Sequence, residues 1–307
     1  MDTIKMNPIR IVVPDGSMEK IVMDLFEKAG MPVTIKNKRL KIGKVDGVDW
    51  IDQVVFQRPQ EIPRYLNKGL FDVAIVGEDC IANSDYPSII LLKLPIGRKD
   101  NKPVKIVLAV SQDSDLQKIE DLPKDCEVAT EYIQLAQRFF ANLGRNDIKV
   151  IFSFGNTESK IGLGEATAII DVTESGDSLK QNGLKIIYEI MESNTVIMAN
   201  LKSLIDESKK PYIDCFVRLI NGAFQATVNM KLTVNVPEEI LNKAATILGG
   251  LKGPSCSLIL DANGKPTGWL ALQSIVPKEK EIEIKFNLLQ IGVTDIVVER
   301  NIPQIMS

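Results

Sequence analysis

The feature that most constrains the fold is a repeated order of short apolar strands that end in turns and lead into amphipathic helices. Ile9 to Val13 is an apolar β-branched run, closed by Pro14-Asp15-Gly16 and followed by a helical apolar stripe. Asp72 to Val76 is a similar strand that ends in Gly77. This alternation predicts a mainly parallel sheet with helices on both faces, where ligands bind at the carboxyl ends of the strands.

The alternation of strand and helix starts again after a polar stretch at residues 97–103, which we interpret as a crossing between two lobes. A β-rich run that begins at Leu184 lacks an intervening helix, and we expect it to return to the first lobe. The predicted boundaries are residues 1–96 and 184–225 for the first lobe and residues 97–183 for the second.

The last eighty residues follow a different order, strand–helix–strand–strand–helix–strand, with an Asn263-Gly264 turn between the middle strands. This βαββαβ order is typical of a ferredoxin-like unit. We therefore predict a separate small domain over residues 226–307.

Composition excludes several classes of function. The formal net charge is −3 and both signs are mixed along the chain, which argues against a nucleic-acid-binding protein. The chain has four scattered cysteines and no histidine, so a zinc site and histidine-dependent nucleophiles are not expected. The N-terminus does not resemble a signal peptide and no apolar run is long enough to span a membrane, so we expect a cytoplasmic protein.

The strongest candidate for a binding site is the segment from Ala168 to Leu179, an apolar strand that runs into a hydroxyl- and glycine-rich turn before a helix. Backbone N–H groups, three hydroxyl side chains and the helix dipole could together bind a phosphate ester there. A simple capped helix is the alternative. Nearby carboxylates suggest that ribose hydroxyls or a magnesium ion also bind; the predicted residues are Asp171, Thr173, Glu174, Ser175, Gly176, Asp177, Ser178 and Leu179.

Two further residues are candidates for ligand contacts because of their positions in the sequence. Arg58 follows a strand at the start of a helix, where a cation is unfavourable unless it has a ligand to bind. Thr130 also ends a strand and opens a helix, and a helix cap and a ligand contact are equally good interpretations of it.

The chain resembles the ATP phosphoribosyltransferase family over almost its whole length. The resemblance rests on motifs in a common order: residues 9–18, VVFQRPQEIP at 54–63, GLFDVAIVGED at 69–79, VATEY at 128–132, residues 155–158 and DVTESGDSLKQNGL at 171–184. It implies two α/β lobes like those of periplasmic binding proteins, with a C-terminal ACT-like regulatory domain as in the long form of the family.

The resemblance also implies a reaction and its ligands. ATP and phosphoribosyl pyrophosphate would be joined at the entry to histidine biosynthesis, with Mg²⁺ bound mainly by the substrate's pyrophosphate, and histidine would inhibit. A homo-oligomer, from dimer to hexamer, is expected. The residues assigned to ATP are Asp15, Gly16, Arg58, Asp72, Thr130 and Tyr132; Glu158 is a candidate by resemblance, and Leu251, Pro254 and Ser255 are assigned to the effector, with an ordinary turn as the alternative.

Two positions depart from the family pattern. Asp15 stands at a turn where many members have a pair of basic residues, and Thr167 replaces a common carboxylate before the phosphate strand. The alternative function is therefore a catalytically impaired paralogue or a two-lobe protein that senses a small metabolite.

Overall fold

The computed structural model describes residues 7–97, 103–250, 252–302 and 305. These residues divide into two compact units, the first built from residues before 28 together with residues 31–217, and the second from residues 28–30 and from 218 onward. Within the described ranges, no helix is both long and apolar enough to cross a membrane.

The first unit alternates strands and helices along the chain. Its strands are β1 (Ile9–Pro14), β2 (Val33–Asn37), β3 (Ile42–Val45), β4 (Ile51–Gln57), β5 (Val73–Gly77), β6 (Ile89–Leu94), β7 (Val104–Ser111), β8 (Glu127–Thr130), β9 (Lys149–Phe152), β10 (Ala168–Thr173), β11 (Leu184–Ser193) and β12 (Thr195–Ala199). Its helices are α1 (Glu19–Lys28), α2 (Ile62–Asn67), α3 (Glu78–Ala82), α4 (Ile133–Asn142), α5 (Ser159–Gly162), α6 (Asp177–Gln181), α7 (Leu201–Ile205) and α8 (Lys210–Val228), which ends in the second unit.

The first sheet, as far as the structure describes the chain, has seven strands in the order β2-β3-β4-β1-β5-β12-β6. β1 runs parallel to β4 and β5, so these three strands end at the same edge of the sheet. Ile9, Ile11, Val12 and Val13 of β1 have no solvent exposure, as expected for a strand covered on both faces. The prediction of a mainly parallel sheet holds only for these three central strands, because the pairs β2-β3, β3-β4, β5-β12 and β12-β6 on either side of them are antiparallel.

The second sheet has five strands among the described residues, in the order β11-β7-β10-β8-β9. β8, β9 and β10 are parallel, and β7 pairs with β10 in the opposite direction. The two-lobe α/β architecture is therefore confirmed, although residues 98–102 of the predicted crossing lie outside the described part of the chain.

The predicted return to the first lobe at Leu184 is wrong. β11 pairs antiparallel with β7 in the second sheet from Leu184 to Ser193, and only β12 pairs with β5 and β6 in the first. The run was misassigned because the absence of a helix between two strands does not identify the partner of either strand. The connection between the sheets at this point is a single residue, Asn194.

The second unit has the predicted βαββαβ order. Its elements are β13 (Asn229–Pro237), α9 (Leu241–Leu248), β14 (Ser255–Leu260), β15 (Pro266–Pro277), α10 (Glu281–Gln290) and β16 (Asp295–Glu299). In the described part of this unit the strands pair antiparallel in the order β14-β15-β13-β16, which is ferredoxin-like. Alternate residues of β13, from Met230 to Val236, are buried with Leu248 and Leu288 from the two helices.

Candidate active site

A cleft lies in the first unit where the carboxyl ends of strands from both sheets meet. Its outer part is a cavity of about 900 Å³ lined from both lobes, by residues that include Arg58 and Tyr86 of one lobe and Glu131 and Phe154 of the other. A smaller cavity of about 80 Å³ lies deeper, beside Asn194. Ligands of α/β proteins bind at such edges, so this cleft is the candidate site.

The predicted phosphate turn connects β10 to α6. The Gly176 N–H donates to Thr173 Oγ1 at 2.9 Å, and Gly176 has a φ of 83°, a conformation that favours glycine. Within the described part of the chain, the backbone N–H groups of Ser175 and Ser178 have no acceptor. Because α6 has only five residues, these free donors and the hydroxyl groups would contribute more to anion binding than the helix dipole.

The carboxylates of the turn are arranged around its hydroxyl groups. Ser175 Oγ donates to Asp177 Oδ2 at 2.7 Å, and Ser178 Oγ donates to Glu158 Oε1 at 3.4 Å. The second bond connects the phosphate turn to the turn after β9, so Glu158 lies beside the predicted phosphate site. Asp171 and Glu174 are half-buried, and Leu179 packs in the core behind the turn.

No group of three or more cysteine, aspartate or glutamate side chains converges on one point in the described residues, so they do not form a metal cage. The carboxylates of the turn could each offer one oxygen ligand to a metal that arrives on a substrate. The side chains of the described residues therefore do not by themselves fit a resident Mg²⁺.

The turn after β1 has a cation that the sequence pattern did not reveal. Lys41, from the segment between β2 and β3, lies 3.5 Å from Asp15 Oδ2 and 2.9 Å from Glu19 Oε2. Its hydrogen bond with Glu19, aided by the charges of Glu19 and Asp15, raises the pKa of Lys41 above its usual value despite partial burial. A charged amine therefore stands beside Asp15 and the exposed Gly16.

Arg58 lies at the end of β4, on the first-lobe side of the larger cavity. Its side chain is exposed, and no hydrogen bond or ion pair joins it to another described residue. The neighbouring Arg64, by contrast, pairs with Glu61. Arg58 is thus an available cation on the wall of the cavity.

The assignment of Asp72 to ATP is wrong. Asp72 precedes β5, at the amino edge of the sheet, and it is 2% exposed. Its carboxylate accepts hydrogen bonds from Lys209 Nζ at 2.7 Å, Ser203 Oγ at 2.6 Å and the Arg10 N–H at 2.8 Å. Asp72 therefore has a structural role on the side away from the cleft, and its place in a motif was mistaken for a ligand contact.

Thr130 also does not face a ligand. It has no solvent exposure, and its Oγ1 accepts a hydrogen bond from the Tyr132 N–H at 2.9 Å. Thr130 is not the helix cap either, because Tyr132 occupies the cap position of α4 and no side chain caps that helix. The hydroxyl group is used to shape the turn between β8 and α4.

Tyr132 joins the two lobes. Its hydroxyl group donates to Asp79 Oδ2 at 3.0 Å, and Ser193 Oγ donates to Asp79 Oδ1 at 2.6 Å. Tyr132 and Asp79 are 5% and 8% exposed, and both line the smaller cavity. The sequence pattern does not reveal Asp79 and Ser193 as partners, because they are 114 residues apart.

We expect the Tyr132→Phe variant to lose about 1.5–3 kcal/mol of unfolding free energy, the typical value of a hydrogen bond to a charged group. Urea unfolding followed by circular dichroism measures this difference. The matched control is Tyr188→Phe, because Tyr188 is 43% exposed, and there we expect a change within about 0.5 kcal/mol. Equal small effects in both variants would contradict a stabilising contact between Tyr132 and Asp79.

Comparison with known proteins decides the family. The family model of ATP phosphoribosyltransferase matches residues 58–222, and the model of the HisG C-terminal domain matches residues 226–300. The chain belongs to the ATP phosphoribosyltransferase family. It is a pentosyltransferase of the long form, with the family's C-terminal domain.

Curated members of the ATP phosphoribosyltransferase family are similar over nearly the full length. ATP phosphoribosyltransferase 1 of Geobacter sulfurreducens is 32% identical over 286 residues, which cover 93% of this chain and 94% of the relative. The enzyme of Geotalea uraniireducens is 32% identical over 292 residues, or 95% and 97% of the two chains.

A solved structure of the same family has a similar fold. A chain of the ATP phosphoribosyl transferase (HisG:HisZ) complex from Thermotoga maritima superimposes with a TM-score of 0.58 at 23% identity, covering 69% of this chain and 98% of that chain.

The Thr167 departure from the ATP phosphoribosyltransferase pattern lies away from the phosphate turn. Thr167 precedes β10, and its N–H donates to the Glu127 carbonyl oxygen at 2.9 Å. Thr173 ends the same strand six residues later, a separation of roughly 20 Å at the usual rise of a strand. The missing carboxylate therefore cannot contact a phosphate held by residues 173–179.

The predicted effector loop lies in the C-terminal domain of the family. Leu251 is outside the described residues, Pro254 is half-buried and Ser255 is the exposed first residue of β14. Ser274 Oγ donates to the Gly249 carbonyl oxygen at 2.7 Å, and a Cβ on Gly250 would lie 1.9 Å from that same Oγ. Gly250 thus allows close packing of the loop on β15, and the assignment of the loop to an effector stays a prediction.

Proposed function

We propose that the chain condenses ATP with phosphoribosyl pyrophosphate to give N1-(5-phosphoribosyl)-ATP and pyrophosphate, the first step of histidine biosynthesis. One observation carries the proposal: a glycine turn that presents hydroxyl groups and two backbone N–H donors, and that is linked to Glu158, lies at the carboxyl edge of the second sheet. Arg58, on the wall of the larger cavity, supplies a cation whose side chain has no ion-pair partner among the described residues.

The 5′-phosphate and ribose would bind to the phosphate turn. Thr173, Ser175 and Ser178 offer hydroxyl donors, and Gly176 allows the phosphate to approach the backbone. Asp171 and Glu174 would accept hydrogen bonds from the ribose hydroxyl groups. ATP would bind with its phosphates near Arg58 and near the Asp15-Gly16 turn, where Lys41 offsets the charge of Asp15.

The reaction is a displacement at C1 of the ribose. Adenine N1 forms the new bond to C1 as the bond from C1 to the pyrophosphate oxygen breaks, and the electron pair leaves with pyrophosphate. No nucleophile from the enzyme is needed. Alignment of the two substrates alone can lower the barrier by about 7–11 kcal/mol, so a chain without histidine suffices.

Mg²⁺ is proposed to enter with the pyrophosphate oxygens, and when bound it would neutralise the charge of the leaving group. Histidine is proposed as the feedback inhibitor, bound by the C-terminal domain. A homo-oligomer, from dimer to hexamer, is proposed as the active assembly.

We expect pyrophosphate release when the protein is mixed with ATP, phosphoribosyl pyrophosphate and Mg²⁺, and no release when either organic substrate is omitted. A coupled pyrophosphate assay measures the rate. Added histidine should lower the rate, which tests the regulatory proposal separately from the reaction. Tight binding of both substrates without pyrophosphate release would contradict the proposed reaction and favour the impaired-paralogue alternative.

A further inference from the structure

Phe154 is an unusually exposed aromatic side chain at the rim of the cleft. Its exposed fraction is 92%, and that of Phe152, the last residue of β9, is 51%. The two rings contact each other edge to face, with centroids 4.5 Å apart. Phenylalanine is normally buried, so a fully exposed ring that also lines a cavity indicates a ligand surface.

The turn that carries Phe154 is held by its own hydrogen bonds. Ser153 has no solvent exposure, and its hydroxyl group accepts from Thr157 Oγ1 at 3.2 Å and donates to the Gly155 carbonyl oxygen at 3.3 Å. Gly155 and Asn156 have positive φ values of 68° and 49°. The positive φ of Asn156 costs free energy because Asn156 is not glycine. The hydrogen bonds of the turn offset this cost and keep the Phe154 ring directed outward.

Phe154 lies close to residues that are proposed to bind each of the two substrates. Glu158, four residues after Phe154, accepts a hydrogen bond from Ser178 of the phosphate turn. Arg58 lines the same cavity as Phe154. A planar group stacked on the Phe154 ring would thus share the cavity with a cation suited to a polyphosphate, on a turn that is bonded through Glu158 to the phosphate turn.

We propose that Phe154 is the platform on which the adenine ring of ATP stacks, an inference that rests on the proposed function. Stacking on an aromatic side chain fixes the plane of a base and leaves its edge atoms free to react. The plane of the adenine ring would then be fixed, with N1 at its edge free to approach C1 of the ribose. Phe154 acts as a binding residue that orients the nucleophile.

A carboxylate beside the platform fits adenine in particular. The position that a Cβ would take on Gly155 is 3.7 Å from Glu131 Oε1, so this acceptor lies next to the turn. A carboxylate can accept a hydrogen bond from the exocyclic amino group of adenine and would repel the carbonyl oxygen that guanine has at the same ring position.

The test compares three substitutions at Phe154 by steady-state pyrophosphate release. For Phe154→Ala we expect KM for ATP to rise about tenfold to hundredfold, the usual range for the loss of one stacking contact, with KM for phosphoribosyl pyrophosphate unchanged. Phe154→Trp should retain a KM for ATP near that of the unchanged chain, because it keeps a ring face. Phe154→Leu keeps apolar volume without a ring face and should behave like Phe154→Ala.

The matched control is Leu163→Ala, since Leu163 is 74% exposed in the same lobe and does not line the cavity. We expect neither KM to change in this variant, and thermal unfolding checks that every variant is folded. A normal KM for ATP in Phe154→Leu would overturn stacking. So would a Phe154→Ala variant whose only change is a lower mass in sedimentation, which would mean that a second copy of the chain covers the ring.

The test also separates this proposal from the proposed function. If the unchanged chain releases no pyrophosphate, the proposed reaction fails and the stacking proposal fails with it. If the unchanged chain turns over and the Phe154 variants do too with normal KM values, only the stacking proposal is overturned.

Discussion

Replacing Gly176 by alanine should lower kcat/KM for phosphoribosyl pyrophosphate by about 100-fold, the order expected when a substrate is displaced by about 1 Å. Gly176 has a φ of 83°, and an added Cβ would lie 3.4 Å from Ile186 Cδ1. The turn would relax toward negative φ, and its hydroxyl and N–H donors would no longer converge on one phosphate. Pyrophosphate release at varied concentrations of phosphoribosyl pyrophosphate measures the effect.

The matched control is Gly183→Ala. Gly183 follows α6 with a similar φ of 70°, and no atom lies within 4 Å of the position of its Cβ. Both variants should lose about 1–2 kcal/mol of unfolding free energy from backbone strain, but only Gly176→Ala should lose activity. If both variants have the kinetics of the unchanged chain, the assignment of the phosphate to this turn is wrong.

Replacing Asp72 by asparagine should lower the free energy of unfolding by about 3–5 kcal/mol at pH 7, the cost of removing one partner of a buried ion pair. The Asp72 side chain is 3% exposed and that of Lys209, which it contacts at 2.7 Å, is 14% exposed. Asparagine would leave the Lys209 ammonium group without its counter-charge. Urea unfolding measures the loss.

The effect of Asp72 should depend on pH. Burial alone would raise the pKa of Asp72, but hydrogen bonds from Lys209, Ser203 and the Arg10 N–H, with the charge of Lys209, outweigh it and lower the pKa. A lowered pKa stabilises the folded chain above the unfolded-state pKa of about 3.9 and loses that contribution as the pH falls through the folded-state value. The difference in the free energy of unfolding between the unchanged chain and Asp72→Asn should therefore be largest at pH 7 and should shrink below about pH 4.

The control for Asp72 is Asp214→Asn. Asp214 pairs with Lys210 at 2.7 Å, but both side chains are at least half exposed, so we expect a loss of less than about 1 kcal/mol. KM for ATP should be unchanged in Asp72→Asn at temperatures where it is folded. If Asp72→Asn instead raised KM for ATP and left the free energy of unfolding unchanged, Asp72 would be an ATP contact and not a structural residue.

The parts of the fold that follow from local sequence could be predicted. The apolar run of β1, its turn and the amphipathic α1 are local signals, and so is the βαββαβ order of the second unit. The position of β11 could not be predicted, because it is an edge strand of mostly half-buried and exposed residues, and such a strand can pair with either sheet. Local pattern identifies a strand, whereas pairing depends on residues far away in the chain.

The same limit applies to the candidate site. The turn between β10 and α6 could be predicted because its residues are consecutive from Thr173 to Leu179, and its assignment to a phosphate stays a prediction. Lys41 lies beside Asp15 only because β3 packs on β4, and Asp79 has partners from two other segments. Asp72 was misassigned because its motif neighbours end β5 at the cleft, while Asp72 itself precedes the strand.

The single-residue link between β11 and β12 limits how the cleft can open. The Asn194 N–H and side-chain Nδ2 donate to Glu78 Oε2 at 3.1 and 2.7 Å, and the Asn194 carbonyl oxygen accepts from the Glu78 N–H at 2.9 Å. These bonds continue the β5–β12 ladder by one pair and hold Asn194 on the first sheet, so at this link the second sheet can change its angle to the first only at the backbone between Ser193 and Asn194. Tyr132 and Ser193 of the second lobe both bond to Asp79 beside this point, so a movement of the lobes that keeps these two bonds must be a rotation centred there.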